Sequence, residues 1–254
     1  MIQNMAKIGF YSRAIVYFAT GLLALSSCMG FSNQKEHDLQ YSIKFISKIP
    51  LGKFFIILIG LGLLCYGIWK FFQGYMDTDD LGKKPGPLFL RFTYYINGMI
   101  HLSMAYFCYR TVLRLRVKDQ DQNVRDWVKH LMELDLGRYI VAIIGLSFIG
   151  FAMTEVIKAY LKKYERGFHL KRNHPMLHFI ARFGMIGRAV IFFIIGGLML
   201  KSSWHFKPEY AGGFGNAWYV ILHLRYGTII AFIISAGLMS YGFYTAMLAN
   251  MREI

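Results

Sequence analysis

Six long apolar stretches, separated by short basic segments, set the narrowest limit on what this chain can fold into. They lie near residues 8–30, 51–76, 88–112, 137–161, 179–201 and 227–250. A helix needs about 20 such residues to cross a bilayer. None of the six contains an internal proline. Pro50, Pro87 and Pro175 fall just before the second, third and fifth, where a helix start tolerates them. The alternating ten-residue segments of an outer-membrane barrel are absent. Charged residues are 17% of the chain, against about one quarter in soluble domains. That excludes disorder and argues against a water-soluble domain. The expectation is an all-α membrane protein of six transmembrane helices in a single transmembrane domain, 1–254.

The apolar runs are not independent. Lys7, Gly9, Arg13, Ala14 and Gly21 recur as Arg182, Gly184, Arg188, Ala189 and Gly196. A middle copy fits the same frame with Arg91, Thr93, Asn97, Gly98 and Ala105. Among the even-numbered runs, Leu51–Gly52–Lys53 matches Leu136–Gly137–Arg138 and Tyr226–Gly227–Thr228. Tyr66–Gly67 matches Phe151–Ala152 and Tyr241–Gly242. The chain therefore reads as three tandem helix pairs, approximately 6–80, 88–166 and 178–254. Two spans per copy give all copies one orientation, with a pseudo-threefold axis along the membrane normal. Each copy also has a connecting segment of helical period, at 38–49, 121–134 and 216–224. These are too short to span and suit helices lying in the interface or packed on the bundle.

Small residues recur every seven positions in the second helix of each copy. They are Gly60, Gly67 and Gly74; Gly145, Ala152 and Ala159; Ser235, Gly242 and Ala249. Seven residues is nearly two helical turns, so each set lines one face. Lipid supplies no hydrophobic drive between helices, and close backbone approach joins them instead. These nine positions are read as packing seams. The aromatics Tyr66, Trp69, Phe72 and Tyr75, and Tyr241, Phe243 and Tyr244, read as an interfacial belt.

Four polar residues inside the runs are the ligand- or lipid-binding candidates: Arg13, Asn97, His101 and Arg188. Arg13 and Arg188 occupy equivalent places, with Asn97 in the middle copy. Five residues into a helix, as at Arg13, is only about 7–8 Å deep. Either they snorkel to headgroups, or they form a polar cluster facing a central cavity. Glu155 lies near Lys158 and Lys162 and reads as half of an interfacial ion pair. His174 and His178 lack the carboxylate or cysteine that would close a metal site, and His101 has no histidine partner for haem. No metal and no cofactor are expected. No GxSxG, HExxH or phosphate-binding loop is present, so no catalytic residues are assigned and an enzyme is not expected.

The 29 Lys+Arg against 14 Asp+Glu sit between apolar runs. Anionic lipid is the simpler partner, at about 1 kcal/mol per basic residue; nucleic acid is not expected. Cys28, Cys65 and Cys108 read as free buried thiols. Met1–Lys7 is too short for a signal peptide's basic region plus apolar core, and no small-residue cleavage site follows, so the first run is expected to remain as a helix. The basic run from Lys158 to Arg172 favours cytoplasmic N- and C-termini, whereas Arg110, Arg114, Arg116, Lys118, Arg125 and Lys129 pull the other way; cytoplasmic termini are the expectation.

The repeated residues Gly9, Arg13, Ala14, Tyr17 and Gly21, with Gly52, Lys53, Gly62, Tyr66, Gly67 and Trp69, carry a likeness. The chain resembles an uncharacterised bacterial membrane family of three tandem two-helix units, a domain of unknown function. The resemblance implies a bacterial inner-membrane location and supplies no activity. The expected function is a non-enzymatic integral membrane protein that binds lipid or serves as an accessory or scaffold subunit beside a membrane-protein partner. The alternative is a small-solute or anion transporter with a pseudo-threefold central cavity.

Overall fold

The computed structural model describes residues 2–28, 43, 47–48, 50–77, 82, 85–113, 120–161 and 175–251. Among them are eight α-helices and no strand. They are α1 (Ile2–Cys28), α2 (Gly52–Met76), α3 (Pro85–Val112), α4 (Gln120–Met132), α5 (Gly137–Tyr160), α6 (Pro175–His205), α7 (Phe214–Leu222) and α8 (Gly227–Met251). A 3₁₀ turn, Pro208–Tyr210, precedes α7. Among the described residues, four helices are long and apolar enough to cross a membrane: α2, α5, α6 and α8. The helices α1 and α3 have the length, with 27 and 28 residues. They are less apolar because the polar residues collect there: Arg13 in α1, and Arg91, Asn97 and His101 in α3.

Helix neighbours follow the repeat. The closest packings join the second helix of one copy to the first helix of the next: α2 on α3, α5 on α6, α8 on α1. Small residues make each approach. A Cβ on Gly67 would meet the Gly98 carbonyl at 3.1 Å, and one on Gly60 would meet Cys108 at 3.0 Å. A Cβ on Gly145 of α5 would lie 3.0 Å from the Gly196 carbonyl, one on Gly242 of α8 would lie 2.9 Å from the Ala14 carbonyl, and one on Gly21 of α1 would lie 2.8 Å from the Ser235 carbonyl. Gly74 approaches Tyr95 and the Arg91 carbonyl. Ala152 and Ala159 are buried on α5, as is Ala249 on α8.

Within a copy, α1 packs on α2 and α6 on α8, whereas α3 barely touches α5. The residues explain the difference. Gly9 lies against the backbone of Tyr66, and Gly184 against that of Tyr241. Ser12 meets Gly62, and Gly187 meets Gly237 with a Cβ-to-Cα clearance of 2.9 Å. The middle copy has Thr93 and Ile96 where the others have Gly9 and Ser12 or Gly184 and Gly187. Side chains of that size hold two helix backbones apart.

The connecting helices pack on the bundle. In α7, Ala217, Trp218 and Ile221 are completely buried. In α4, Val128 and Met132 face the bundle and Trp127 faces outward. The Asp121 carboxylate accepts a hydrogen bond from the Gly213 N–H, and Arg125 donates to Asn216 at 3.0 Å. These contacts clip α4 to the start of α7. The segment expected at 38–49 lies, apart from isolated positions, outside the described residues.

The end of α2 is tied to α3 by Arg91. Its Nε donates to the Gly74 carbonyl and its Nη2 to the Tyr75 carbonyl, both at 2.8 Å. A helix leaves its last carbonyls unpaired, and this arginine satisfies two of them.

Candidate functional site

The second helices start at equivalent glycines, Gly52, Gly137 and Gly227. Counting from each, Tyr66, Phe151 and Tyr241 fall at one register position, and Lys70, Glu155 and Thr245 fall one turn further on. All six are buried. Tyr66, Phe151, Tyr241 and Glu155 meet the arginines of the first helices in the bundle interior.

Arg13 donates through Nη1 to the Tyr66 hydroxyl, and Arg188 donates through Nη1 to the Tyr241 hydroxyl. The partners are 53 residues apart in both pairs, so copies one and three build the same bond. The local reason is the glycine one turn before each arginine. Gly9 and Gly184 let the backbone of the tyrosine come close, which places its hydroxyl within reach of the arginine on the next turn. The middle copy has Asn97 and Phe151 at these places and cannot make the bond.

Copy two contributes an acid instead. Glu155 Oε2 accepts from Arg188 Nη1 at 3.3 Å, and Glu155 Oε1 lies 3.7 Å from Lys158 Nζ. The Phe151 ring lies 4.8 Å from the Arg188 guanidinium. The two arginines also share aromatic neighbours. Arg13 and Arg188 lie 4.9 and 4.7 Å from the Tyr241 ring centroid, and 5.6 and 5.4 Å from that of Tyr17. Each such contact offsets part of the cost of burying a guanidinium, by about 0.5–2 kcal/mol.

His101 reaches the cluster through Tyr66, with ring centroids 4.7 Å apart. Its Nδ1 donates to the Asn97 carbonyl one turn earlier, at 2.7 Å. Lys70 donates to Gln73 and lies 5.3 and 4.8 Å from the rings of Tyr66 and Tyr94. Thus Arg13, His101 and Arg188 are brought together on Tyr66 and Tyr241. Asn97 touches the group through its backbone, and its Oδ1 is buried without a hydrogen-bond partner.

The arginines lie deeper than the apolar runs indicate. The helix α6 starts at Pro175, not near 179, which puts Arg188 about 20 Å along it. Proline's fixed φ favours that early start. Arg13 and Arg188 keep only 4% and 2% exposure, so their side chains turn inward and do not run to the helix end. Glu155 likewise points inward, to Arg188 as well as Lys158. The expected aromatic belt divides by helix face. Tyr66, Trp69, Tyr241 and Tyr244 are buried, while Phe72, Tyr75 and Phe243 are exposed. Sequence reasoning thereby missed Tyr66, Tyr241 and Glu155 as cluster members. The signal was available in the repeat: Tyr66 and Tyr241 match each other as Arg13 and Arg188 do. Among the described residues, no group of three or more His, Cys, Asp and Glu side chains has a metal-binding arrangement.

Four apolar membrane-capable helices around a buried polar cluster make this a membrane-embedded, all-helical protein of repeated build. The chain belongs to the family described as Domain of Unknown Function (DUF1206), which matches it three times, at residues 8–77, 92–162 and 183–252. It is also similar to Uncharacterized protein YxxB of Bacillus subtilis (strain 168), with 25% identity over 250 residues, 97% of this chain and 90% of the relative. No solved structure matches it.

Proposed function

We propose that this chain is a non-enzymatic protein of the bacterial inner membrane. It crosses the bilayer six times as three like-oriented helix pairs about a pseudo-threefold axis, with both termini cytoplasmic. Its role in this reading is to bind anionic lipid or to serve as an accessory subunit of a membrane complex. One observation carries the reading. Large apolar side chains such as Leu61, Ile143, Leu146, Phe232 and Ile233 point outward, while the arginines point inward. That is the inverse of a soluble protein, and it suits a bundle whose outer surface meets lipid.

A second reading, a small-solute or anion transporter, draws on a different observation. Arg13, Asn97, His101 and Arg188 are all buried within the bundle, where intramembrane ionisable residues commonly mark a pathway. Native mass spectrometry of the protein released gently from its own membrane separates the two. Bound anionic lipid or a stoichiometric protein partner supports the first. A lone chain carrying a specific small solute and no lipid supports the second and overturns the first.

A further inference from the structure

The chain enters α5 and α8 through one and the same turn. The Leu134 N–H donates to the Leu131 carbonyl at 3.1 Å, and the Gly137 N–H to the Leu134 carbonyl at 2.9 Å. In the third copy the Leu224 N–H donates to the Ile221 carbonyl at 3.1 Å, and the Gly227 N–H to the Leu224 carbonyl at 2.9 Å. Both turns need their glycine. A Cβ on Gly137 would run into the Leu131 carbonyl, and one on Gly227 into the carbonyls of Ile221 and Leu222. Two large apolar side chains project from each of these fixed turns. Leu134, Leu136, Leu224 and Tyr226 are 49–66% exposed. Copy one repeats the second position, with Leu51 exposed just before Gly52.

Exposed apolar surface on a rigid turn is costly in water, at about 25 cal/mol per Å², and marks a contact surface. This surface runs on into the outer faces of the spanning helices. Ile140 and Ile143 follow Leu136, Ile229 and Phe232 follow Tyr226, and all four are exposed. An arginine lies beside a tyrosine ring at each turn: Arg138 is 4.6 Å from the Tyr139 centroid, and Arg225 is 5.6 Å from that of Tyr226. Exposed tyrosines and basic residues at the end of an apolar helix belong to the boundary between membrane and water. The two turns belong to different copies and hence to different sides of the bundle. A partner helix would meet one side, whereas the bilayer boundary meets both at one level.

We propose that the α4–α5 and α7–α8 turns are rigid prongs seated in the interfacial layer of the bilayer, on the side away from the termini. Leu134, Leu136, Leu224 and Tyr226 reach the uppermost acyl carbons, and Arg138 and Arg225 stay among the headgroups. Glu133 and Asp135 flank the first prong, whereas residues 221–228 contain no acid, so the second prong is the one that favours an anionic headgroup. The inference rests on the membrane-crossing reading above and adds the contact points.

The test uses the full chain with Cys28, Cys65 and Cys108 replaced by alanine, in vesicles of phosphatidylcholine and phosphatidylglycerol. A nitroxide is attached singly at Leu136→Cys, at Leu224→Cys and, for reference, at Leu146→Cys on the outer face of α5. Each label reports collisions with oxygen, which concentrates in the bilayer, and with a nickel chelate, which stays in water. Both turn labels should lose most of the chelate collisions that free label shows in water and keep those with oxygen. Their oxygen-to-chelate ratio should lie below that of Leu146→Cys, because they sit shallower. Leu224→Trp, with the cysteines intact, gives a second readout that does not depend on the cysteine-free chain folding. Lipid brominated near the headgroup end should quench its added emission, and aqueous iodide should not; the reverse overturns the proposal. The proposal also falls if the chelate reaches either turn label as freely as it reaches free label, or if both reagents are excluded from either one, as beneath a second protein chain. Turn labels in water with Leu146→Cys still in lipid would overturn the prongs and leave the membrane reading standing. A Leu146→Cys label open to the chelate would overturn both.

Discussion

Gly184→Ala and Gly197→Ala place the same methyl group on the same helix and should have opposite effects. At Gly184 the new Cβ would lie 2.5 Å from the Tyr241 backbone N and 2.6 Å from its Cα. Both are backbone atoms of α8, so no side chain can swing aside, and α6 and α8 must separate. Overpacking of this kind costs about 1–3 kcal/mol. Separation also pulls the Tyr241 hydroxyl from Arg188, and a hydrogen bond to a charged group is worth about 1.5–3 kcal/mol. The two losses overlap, giving about 2–5 kcal/mol. For a chain of this size that is a fall of roughly 4–20 °C in unfolding midpoint. Gly197 has nothing within 4 Å of its Cβ, so alanine there should be neutral or stabilising by up to about 1 kcal/mol through helix propensity. Thermal unfolding in one detergent, followed by circular dichroism, compares the pair directly. Equal midpoints for the two variants would refute the claim that this glycine sets the helix approach and thereby the arginine bond.

Three further outcomes follow from the same geometry. Glu155→Leu strips a buried guanidinium of its carboxylate at 3.3 Å and should cost about 3–5 kcal/mol; Lys158→Ala, at the half-exposed end of the pair, should cost about 0–1 kcal/mol, both read by denaturant unfolding. Tyr66→Phe and Tyr241→Phe should each cost about 1.5–3 kcal/mol by the same assay, and Phe151→Tyr in the middle copy should not produce a matching gain, because Asn97 stands where the arginine would be. Asp121→Ala should unclip α4 from α7 and speed amide hydrogen exchange at Gly213, the N–H that Asp121 holds, while leaving exchange in the middle of α8 unchanged.

The architecture was legible because membrane helices carry two plain signals, long apolar runs and small residues at a fixed step. Gly60, Gly67 and Gly74 predict a face, and α3 is what lies against it. What the sequence concealed was depth and direction. Apolar counting starts a span where hydrophobic residues begin, yet α6 includes the turn from Pro175 onward and α1 starts at Ile2, so each arginine has at least one more turn of helix before it than the apolar run shows. Direction was hidden because hydropathy treats an arginine alike whether its head leaves the membrane or meets a tyrosine. The repeat held the missing constraint, since Arg13 and Tyr66 recur as Arg188 and Tyr241 at one separation, but the tyrosines read as an interfacial belt. The middle copy was harder for the same reason: Asn97, Phe151 and Glu155 replace the pair with a different set, and only the packed structure shows Glu155 turned toward Arg188 of the next copy.

The central claim is that the repeated arginines are held inside the bundle by the repeated tyrosines. A double-mutant cycle tests it most directly, with Arg188→Met, Tyr241→Phe and the two combined, each measured by reversible unfolding in the same detergent. A direct buried bond predicts a coupling energy of about 1–3 kcal/mol, with the same range for Arg13→Met and Tyr66→Phe. Additive effects in both cycles, with coupling below about 0.3 kcal/mol, would place the guanidinia away from the tyrosines and contradict the account.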